Sequence, residues 1–201
     1  MRNAFLTPIT VCEIWMNMLQ TFDVALTQLV NGPAGRHPFL DVVMIWISAA
    51  GIPVLVLAVA CQWWAKIDRS TTRHVLIRAG LAFFLGLGFN QIILLFVDRV
   101  RPYAADVSHL LTAPSLDPSF PSDHATAAVA IALTFAFGGM PRRAVWFGLA
   151  ALVVAVSRVY IGTHYVSDIF GGMVTGALAA AVVPSLYRKE TRLDRCLTSI
   201  F

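Results

Sequence analysis

The chain has 201 residues, of which 58% are apolar and only 13% are charged. Soluble domains carry roughly 25% charged residues, so this composition excludes an ordinary soluble protein and predicts one membrane-embedded domain over residues 1–201. The net charge of +4 predicts no nucleic-acid partner, because basic residues in a membrane protein mark loop orientation. Three widely spaced cysteines without a CxxC pair predict neither a disulfide framework nor a zinc site.

The N-terminal segment is amphipathic. Between Cys12 and Val30, apolar residues at helical spacing alternate with polar residues such as Glu13, Asp23 and Gln28. This pattern predicts a helix that lies in the membrane interface rather than across the bilayer. The turn sequence Asn31-Gly32-Pro33 is expected to end the helix.

Five apolar runs follow, and a membrane span needs about 17–25 residues. They are approximately Leu40–Trp64, Val75–Phe96, Ala125–Met140, Ala144–Tyr160 and Ile169–Tyr187. The third and fourth are short and must borrow residues from their flanks. We therefore predict an all-α integral membrane protein: a bundle of about five transmembrane helices plus the N-terminal amphipathic helix. The GxxxG pair Gly172 and Gly176 predicts close helix packing within the bundle.

Charge asymmetry predicts the orientation. Ten of the fifteen Lys and Arg residues follow the first and third runs, begin the second run or lie in the tail, whereas eight of the eleven acids lie on the other side. Basic loops face the cytoplasm. The tail is therefore expected inside, with the N-terminal helix and the loops after the second and fourth runs outside.

The two outward loops carry side chains suited to phosphate chemistry. Arginine binds phosphate through paired hydrogen bonds, a helix start offers free N–H groups, and histidine serves as nucleophile or proton carrier. The candidates are Arg99, Arg101, Ser122, Asp123, His124, Arg158, His164 and Asp168. For each loop alone, plain helix capping by Ser122 or Asp168 stays open as the alternative. Their shared membrane face favours one phosphate site with a nucleophile and an acid.

These residues resemble the signatures of the type-2 phosphatidic acid phosphatase superfamily. The signature Ser-Arg-x5-His-x3-Asp is matched from Ser157 to Asp168, and Pro-Ser-x-His is matched from Pro121 to His124. The signature Lys-x6-Arg-Pro is half matched by Arg101-Pro102, since Leu94 stands at the lysine position. The resemblance covers about residues 39–187.

One branch is most similar, the bacitracin-resistance type of undecaprenyl pyrophosphate phosphatase. Its features here are Asp123 in the second signature and the pair Asn90-Gln91 upstream of Arg101. A glutamate expected midway along the first span is replaced by residues 48–51, Ser-Ala-Ala-Gly.

The resemblance implies hydrolysis through a phosphohistidine, without metal or cofactor. His164 is implied as the nucleophile, Asp168 as the group that holds its ring, and His124 as the acid that protonates the leaving group and then activates water. The expected phosphate ligands are Arg101, Ser122, Arg158, Asp123 and Arg99, with Arg99 supplying the charge that Leu94 lacks.

The expected substrate is undecaprenyl pyrophosphate, cleaved on the extracytoplasmic face of a bacterial inner membrane, with the C-terminus in the cytoplasm. The alternatives are phosphatidic acid, phosphatidylglycerol phosphate or a lipid A phosphate as substrate, and phosphoryl transfer to another lipid. From a different class comes a small transporter or channel. Oligomeric state stays open.

Overall fold

The computed structural model describes residues 11–66 and 68–200, and every regular element in this part of the chain is helical. The α-helices are α1 (Val11–Asn31), α2 (Pro38–Cys61), α3 (Arg69–Leu94), α4 (Asp123–Phe137), α5 (Pro141–Tyr160), α6 (Val166–Leu186) and α7 (Arg192–Thr198). Short 3-10 turns occupy Gln62–Trp64 and Pro102–Ala105. The predicted all-α membrane fold is confirmed.

Within the described residues, four stretches are long and apolar enough to cross a membrane: Pro38–Trp64, Arg69–Leu94, Pro141–Tyr160 and Val166–Leu186. The fourth apolar run gains its length as predicted, because Pro141 starts α5 before the run itself. The third run forms only the 15-residue α4, which is about 22 Å long at 1.5 Å per residue.

The short helix α4 lies at the centre of the bundle, packed against α3, α5 and α6. Its sequence is rich in alanine and threonine, so neighbouring backbones approach closely, and most of its side chains are buried. The larger side chain of Phe135 fills the core near the C-terminal end of α4, where it stacks on Phe147 of α5 at 4.6 Å between ring centroids. Because α4 is surrounded by other helices, it does not have to be long enough to span the bilayer in contact with lipid.

The pair Gly172 and Gly176 packs α6 onto α4, which confirms the interpretation of this GxxxG as contact within the bundle. A Cβ added at Gly176 would lie 2.5 Å from the backbone oxygen of Thr126 and 3.1 Å from the nitrogen of Ala130. Neither backbone atom can move aside cheaply. Glycine is therefore required by the close approach of the two helices.

Gly176→Ala is expected to lower stability, because the added methyl group forces α6 away from α4 at a cost of about 1–3 kcal/mol. Thermal unfolding of the purified protein in detergent measures the effect. The matched control is Gly88→Ala in α3, where an added Cβ meets nothing within 4 Å, and this variant should unfold at or above the wild-type temperature. Equal unfolding temperatures for all three proteins would refute the packing account.

The N-terminal end of α3 differs from the prediction. The helix begins at Arg69, whereas the apolar run begins at Val75, and His74 is buried although it lies outside that run. The cause is the unpredicted helix α7: Asp194 Oδ1 lies 2.7 Å from His74 Nδ1, and Tyr187 stacks on the ring at 5.0 Å. These long-range contacts keep the polar first turns of α3 helical.

Helix α1 packs against α5 and α6, and its apolar residues Trp15, Leu19 and Phe22 are exposed, as an interfacial helix requires. The polar residues Asp23, Thr27 and Asn31 are instead buried against the protein. Since the membrane helices alternate in direction, α1, the loop 95–122 and the connection 161–165 all lie at one end of the bundle. That end holds every predicted site residue.

Candidate active site

His164 lies in the connection between α5 and α6, with its side chain buried. Its Nδ1 is 2.8 Å from the backbone oxygen of Ser119. A carbonyl oxygen can only accept, so the Nδ1–H of His164 donates this hydrogen bond. The lone pair therefore resides on Nε2 at the opposite edge of the ring, and an imidazole in this tautomer can attack phosphorus.

The surroundings of His164 favour its neutral form. Burial lowers the pKa of His164 below its ordinary value of 6.5, against the opposing effect of Asp168, and the positive charges of Arg158 and Arg101 lower it further. A lowered pKa keeps the ring unprotonated at physiological pH. The nucleophilic form is thus the resting form of this histidine.

Asp168, fully buried in the first turn of α6, has a carboxylate that accepts three hydrogen bonds. The donors are Arg99 Nη1 at 2.5 Å, Ser119 Oγ at 2.5 Å and the backbone N–H of Tyr165 at 2.8 Å. Its Oδ2 is 3.6 Å from His164 Nδ1, which is too long for a hydrogen bond. Asp168 therefore holds the histidine through Ser119 rather than directly, and it also caps α6.

Ser122 is the N-cap residue of α4, as predicted, but its hydroxyl does not cap the helix. The Oγ is buried and has no hydrogen-bond partner among the described residues. Its backbone N–H donates to the backbone oxygen of Asp168 at 3.1 Å, which joins the starts of α4 and α6. A buried hydroxyl without a partner is costly, and a phosphate oxygen would supply one.

His124 follows in the first turn of α4, close enough to interact electrostatically with Arg101, Arg158 and His164. Beside it, the carboxylate of Asp123 accepts a 2.6 Å hydrogen bond from Asn90, which fixes the carboxylate at the helix start. Asn90 also donates to Thr126 at 2.9 Å. The upstream asparagine thus orders the first turn of α4.

Arg158 projects from the last turn of α5, and its Nη1 donates to Ser48 Oγ of α2 at 2.6 Å. Its Nε is buried and has no partner among the described residues. Arg101 is held by three backbone oxygens, those of Asp117, Pro118 and Thr163, at 2.8, 3.3 and 3.0 Å. Each guanidinium therefore retains N–H groups for a ligand, because five are available.

Ser48→Ala is expected to lower kcat/KM roughly 10- to 100-fold, since a hydrogen bond to a charged group contributes about 1.5–3 kcal/mol and Arg158 loses the contact that orients it. Steady-state phosphate release measures the change. Ser185→Ala, at an exposed position near the C-terminal end of α6, serves as the control and should retain wild-type kinetics. A wild-type kcat/KM for Ser48→Ala would show that Arg158 is oriented by other contacts.

Arg99 lies apart from the other predicted phosphate ligands. Its Nη2 donates to Asp23 at 2.7 Å, its Nη1 donates to Asp168, and the guanidinium stacks over Tyr165 at 4.0 Å. Burial disfavours its charge, but Asp168 and Asp23 outweigh burial and raise the pKa of Arg99. Both terminal nitrogens are engaged by carboxylates, so this geometry gives no support to Arg99 as a phosphate ligand in place of the lysine.

The remaining charged or ionisable predicted residues form one electrostatic cluster, built from Arg101, Asp123, His124, Arg158, His164 and Asp168. Sequence reasoning missed Ser119, Ser48 and Asp23. Ser119 acts on His164 through a backbone oxygen, which no residue pattern reveals. Asp23, however, begins a buried polar series with a spacing of four that the sequence displays.

Comparison with known proteins identifies the family. A sequence profile described as "PAP2 superfamily" matches residues 75–192. The chain belongs to the PAP2 superfamily. With its membrane-spanning helices, it is a multi-pass membrane phosphatase. The family membership indicated by the sequence signatures is confirmed.

Individual PAP2 relatives agree in fold and length. Undecaprenyl-diphosphatase BcrC of Bacillus subtilis is 31% identical over 150 residues, which cover 74% of this chain and 76% of the relative. Putative undecaprenyl-diphosphatase YbjG of Escherichia coli is 27% identical over 80% of each chain. The solved transmembrane PAP2-type phosphatidylglycerolphosphate phosphatase of Bacillus subtilis superposes with a TM-score of 0.65, at 25% identity, covering 88% of this chain and 89% of that structure.

Proposed function

We propose that this PAP2 protein hydrolyses undecaprenyl pyrophosphate to undecaprenyl phosphate and inorganic phosphate through a phosphohistidine on His164. The observation that carries the proposal is the 2.8 Å bond from His164 Nδ1 to the Ser119 carbonyl. This bond leaves Nε2 unprotonated in a cluster that also holds two arginines and a second histidine. Such an arrangement suits in-line attack on an anionic phosphorus.

In the first step, His164 Nε2 forms a bond to the terminal phosphorus while the bridging P–O bond breaks. Arg101, Arg158 and the orphaned hydroxyl of Ser122 hold the nonbridging oxygens and neutralise the charge that develops on them. The carboxylate of Asp123 lies near Arg158. Because a carboxylate repels phosphate, we assign Asp123 to orienting that arginine and the start of α4 rather than to direct phosphate contact.

The second histidine moves the protons. With the anionic head group bound beside it, His124 carries a proton, donates that proton to the leaving undecaprenyl phosphate, and then accepts one from the water that attacks the phosphorus. The P–N bond breaks in this second step and releases inorganic phosphate, so His164 returns to its starting tautomer. All positive charge in this scheme comes from arginines and helix N–H groups, so chelation by EDTA should leave the rate unchanged.

The substrate assignment rests on the names of the relatives and on Asp123 in the signature that runs from Pro121 to His124. BcrC and YbjG both carry undecaprenyl-diphosphatase in their names, and Asp123 is the feature that the sequence shares with that branch. Phosphatidylglycerol phosphate is the second candidate, favoured by the structural similarity to a phosphatase for that lipid. If undecaprenyl pyrophosphate is the substrate, the protein recycles a cell-wall lipid carrier, and overexpression should raise bacitracin tolerance.

We further propose that the site faces the extracytoplasmic side of a bacterial inner membrane. The support is the concentration of basic residues at the opposite end of the bundle, which includes Arg73, Arg78 and Arg143. The head group then meets the arginines at the outer surface, while the prenyl chain stays in the bilayer.

A substrate panel tests the proposal. Purified protein in detergent with EDTA is given undecaprenyl pyrophosphate, phosphatidylglycerol phosphate or phosphatidic acid at equal concentrations, and phosphate release is measured. We expect kcat/KM to be highest for undecaprenyl pyrophosphate. A preference for phosphatidylglycerol phosphate would replace the substrate assignment, and loss of activity in EDTA would overturn the metal-independent scheme. Release from none of the lipids would favour phosphoryl transfer to another acceptor.

A further inference from the structure

The polar side of α1 contacts the first turn of α6. Asp23 Oδ1 accepts the backbone N–H of Ser167 at 2.8 Å, and Thr27 Oγ1 accepts that of Val166 at 3.1 Å. A helix start normally leaves such N–H groups without intrahelical partners. Side chains from α1 thus cap α6 from outside, although α1 lies beyond the matched family region of residues 75–192.

Asp23 is also the second carboxylate on Arg99. It is 8% exposed, and its Oδ2 accepts from Arg99 Nη2 at 2.7 Å and from Ser167 Oγ at 2.5 Å. Arg99 Nη1 in turn donates to Asp168. A forked guanidinium bridging two carboxylates in a partly buried site is fixed in direction as well as in charge.

A continuous series of hydrogen bonds therefore connects α1 with the candidate nucleophile. From Asp23 it runs to Arg99, from Arg99 to Asp168, from Asp168 to the Ser119 hydroxyl, and from the Ser119 carbonyl to His164 Nδ1. Each donor–acceptor distance in the series is 2.8 Å or less. The orientation of the His164 ring therefore depends on Asp23 at one end of this series as well as on Ser119 at the other.

We infer that Asp23 is a positioning residue for the phosphatase reaction, acting through Arg99 and Asp168 on His164. The inference rests on the proposed role of His164 as nucleophile. In this role Asp23 contacts no substrate; it fixes the position of Arg99, which keeps the Asp168 carboxylate and the Ser119 hydroxyl aligned. The interfacial helix is then part of the catalytic apparatus rather than only a membrane attachment.

Asp23→Asn separates this role from simple capping. Asparagine keeps an oxygen that can accept the Ser167 N–H, so the start of α6 stays capped, but it removes the charge that Arg99 requires. We expect kcat to fall roughly 10- to 100-fold, as small misplacements of reacting groups do, with KM changed less than about threefold. Asp23→Glu restores the charge and should recover part of the loss. The unfolding temperature in detergent should stay near that of the wild type.

The matched control is Asp106→Asn, an exposed outer acid whose left-handed backbone (φ 55°) suits asparagine. It removes the same charge from the same face and should retain wild-type kcat. The decisive comparison is a double-mutant cycle that combines Asp23→Asn with Arg99→Gln and measures kcat for each variant. If Asp23 acts through Arg99, the double variant is no slower than Arg99→Gln alone.

Three outcomes overturn the inference: wild-type kcat for Asp23→Asn, multiplying losses in the double variant, or a loss confined to KM. If the variant is unstable, the cycle between Asp23→Glu and Arg99→Lys gives the same readout, because lysine cannot bridge both carboxylates. The wild type and His164→Ala run alongside. An inactive wild type would refute the proposed function, whereas an active wild type with an unaffected Asp23→Asn would refute only this inference.

Discussion

His164→Ala is expected to abolish phosphate release, because it removes the ring nitrogen that the Ser119 carbonyl leaves unprotonated for attack on phosphorus. Removing a nucleophile that acts together with its acid commonly costs several orders of magnitude in kcat. We expect a fall of at least about 10⁴-fold, with substrate binding largely retained by Arg101 and Arg158. Phosphate release and binding of undecaprenyl pyrophosphate are measured on the same detergent-solubilised preparation.

The control for this variant is His109→Ala. His109 lies in the loop between α3 and α4 with an exposed side chain, and its backbone, not its ring, makes hydrogen bonds with Asn31. The His109→Ala variant should hydrolyse the substrate at the wild-type rate. Substantial activity in His164→Ala would mean that the nucleophile is another group, most simply a water molecule activated by His124.

His124→Gln is expected to slow the reaction about 10²- to 10⁴-fold, the usual contribution of a positioned acid or base. The two chemical steps should respond differently. A phosphate leaving group is a weaker base than an alkoxide, so it needs less help from a proton donor. Water attack on the phosphohistidine still needs a base. The variant should therefore release about one undecaprenyl phosphate per enzyme rapidly, and then continue slowly.

The same variant distinguishes the candidate substrates. In phosphatidylglycerol phosphate and phosphatidic acid, the leaving group is the alkoxide of a lipid alcohol. Their first step therefore depends fully on His124, and no rapid phase is expected with them. Rapid-quench measurement of both products follows the two steps. A uniform loss without any rapid phase on undecaprenyl pyrophosphate would show that His124 acts mainly in the first step.

Much of this architecture could be predicted from the sequence because the bilayer imposes simple rules. Long apolar runs have to be helices there, so α2, α3, α5 and α6 were predictable, with errors mainly at their ends. The spacing of Arg158, His164 and Asp168 along the connection from α5 to α6 was likewise informative, since it fixes which groups share a surface. The predicted central role of these residues follows from that spacing and from the alternation of the spans.

The features that could not be predicted from the sequence depend on tertiary contacts. The carbonyl of Ser119 that holds His164 is a backbone atom, so any residue type at position 119 offers the same acceptor. Asp23 looked like part of a solvated helix face, because an interfacial helix and a helix docked on protein show the same polar spacing. Only the position of α1 beside α6 decides between them. The burial of His74 likewise depends on Asp194, more than a hundred residues away.

The most direct test of the account is to trap the covalent intermediate. Undecaprenyl pyrophosphate labelled in its terminal phosphate is mixed with enzyme, quenched in alkali within the first turnover, digested and analysed by mass spectrometry. The account predicts an acid-labile, alkali-stable phosphoryl group on the peptide that contains His164, accumulating further in His124→Gln and absent in His164→Ala. Rapid phosphate release with no labelled peptide, or with the label on another residue, would contradict it.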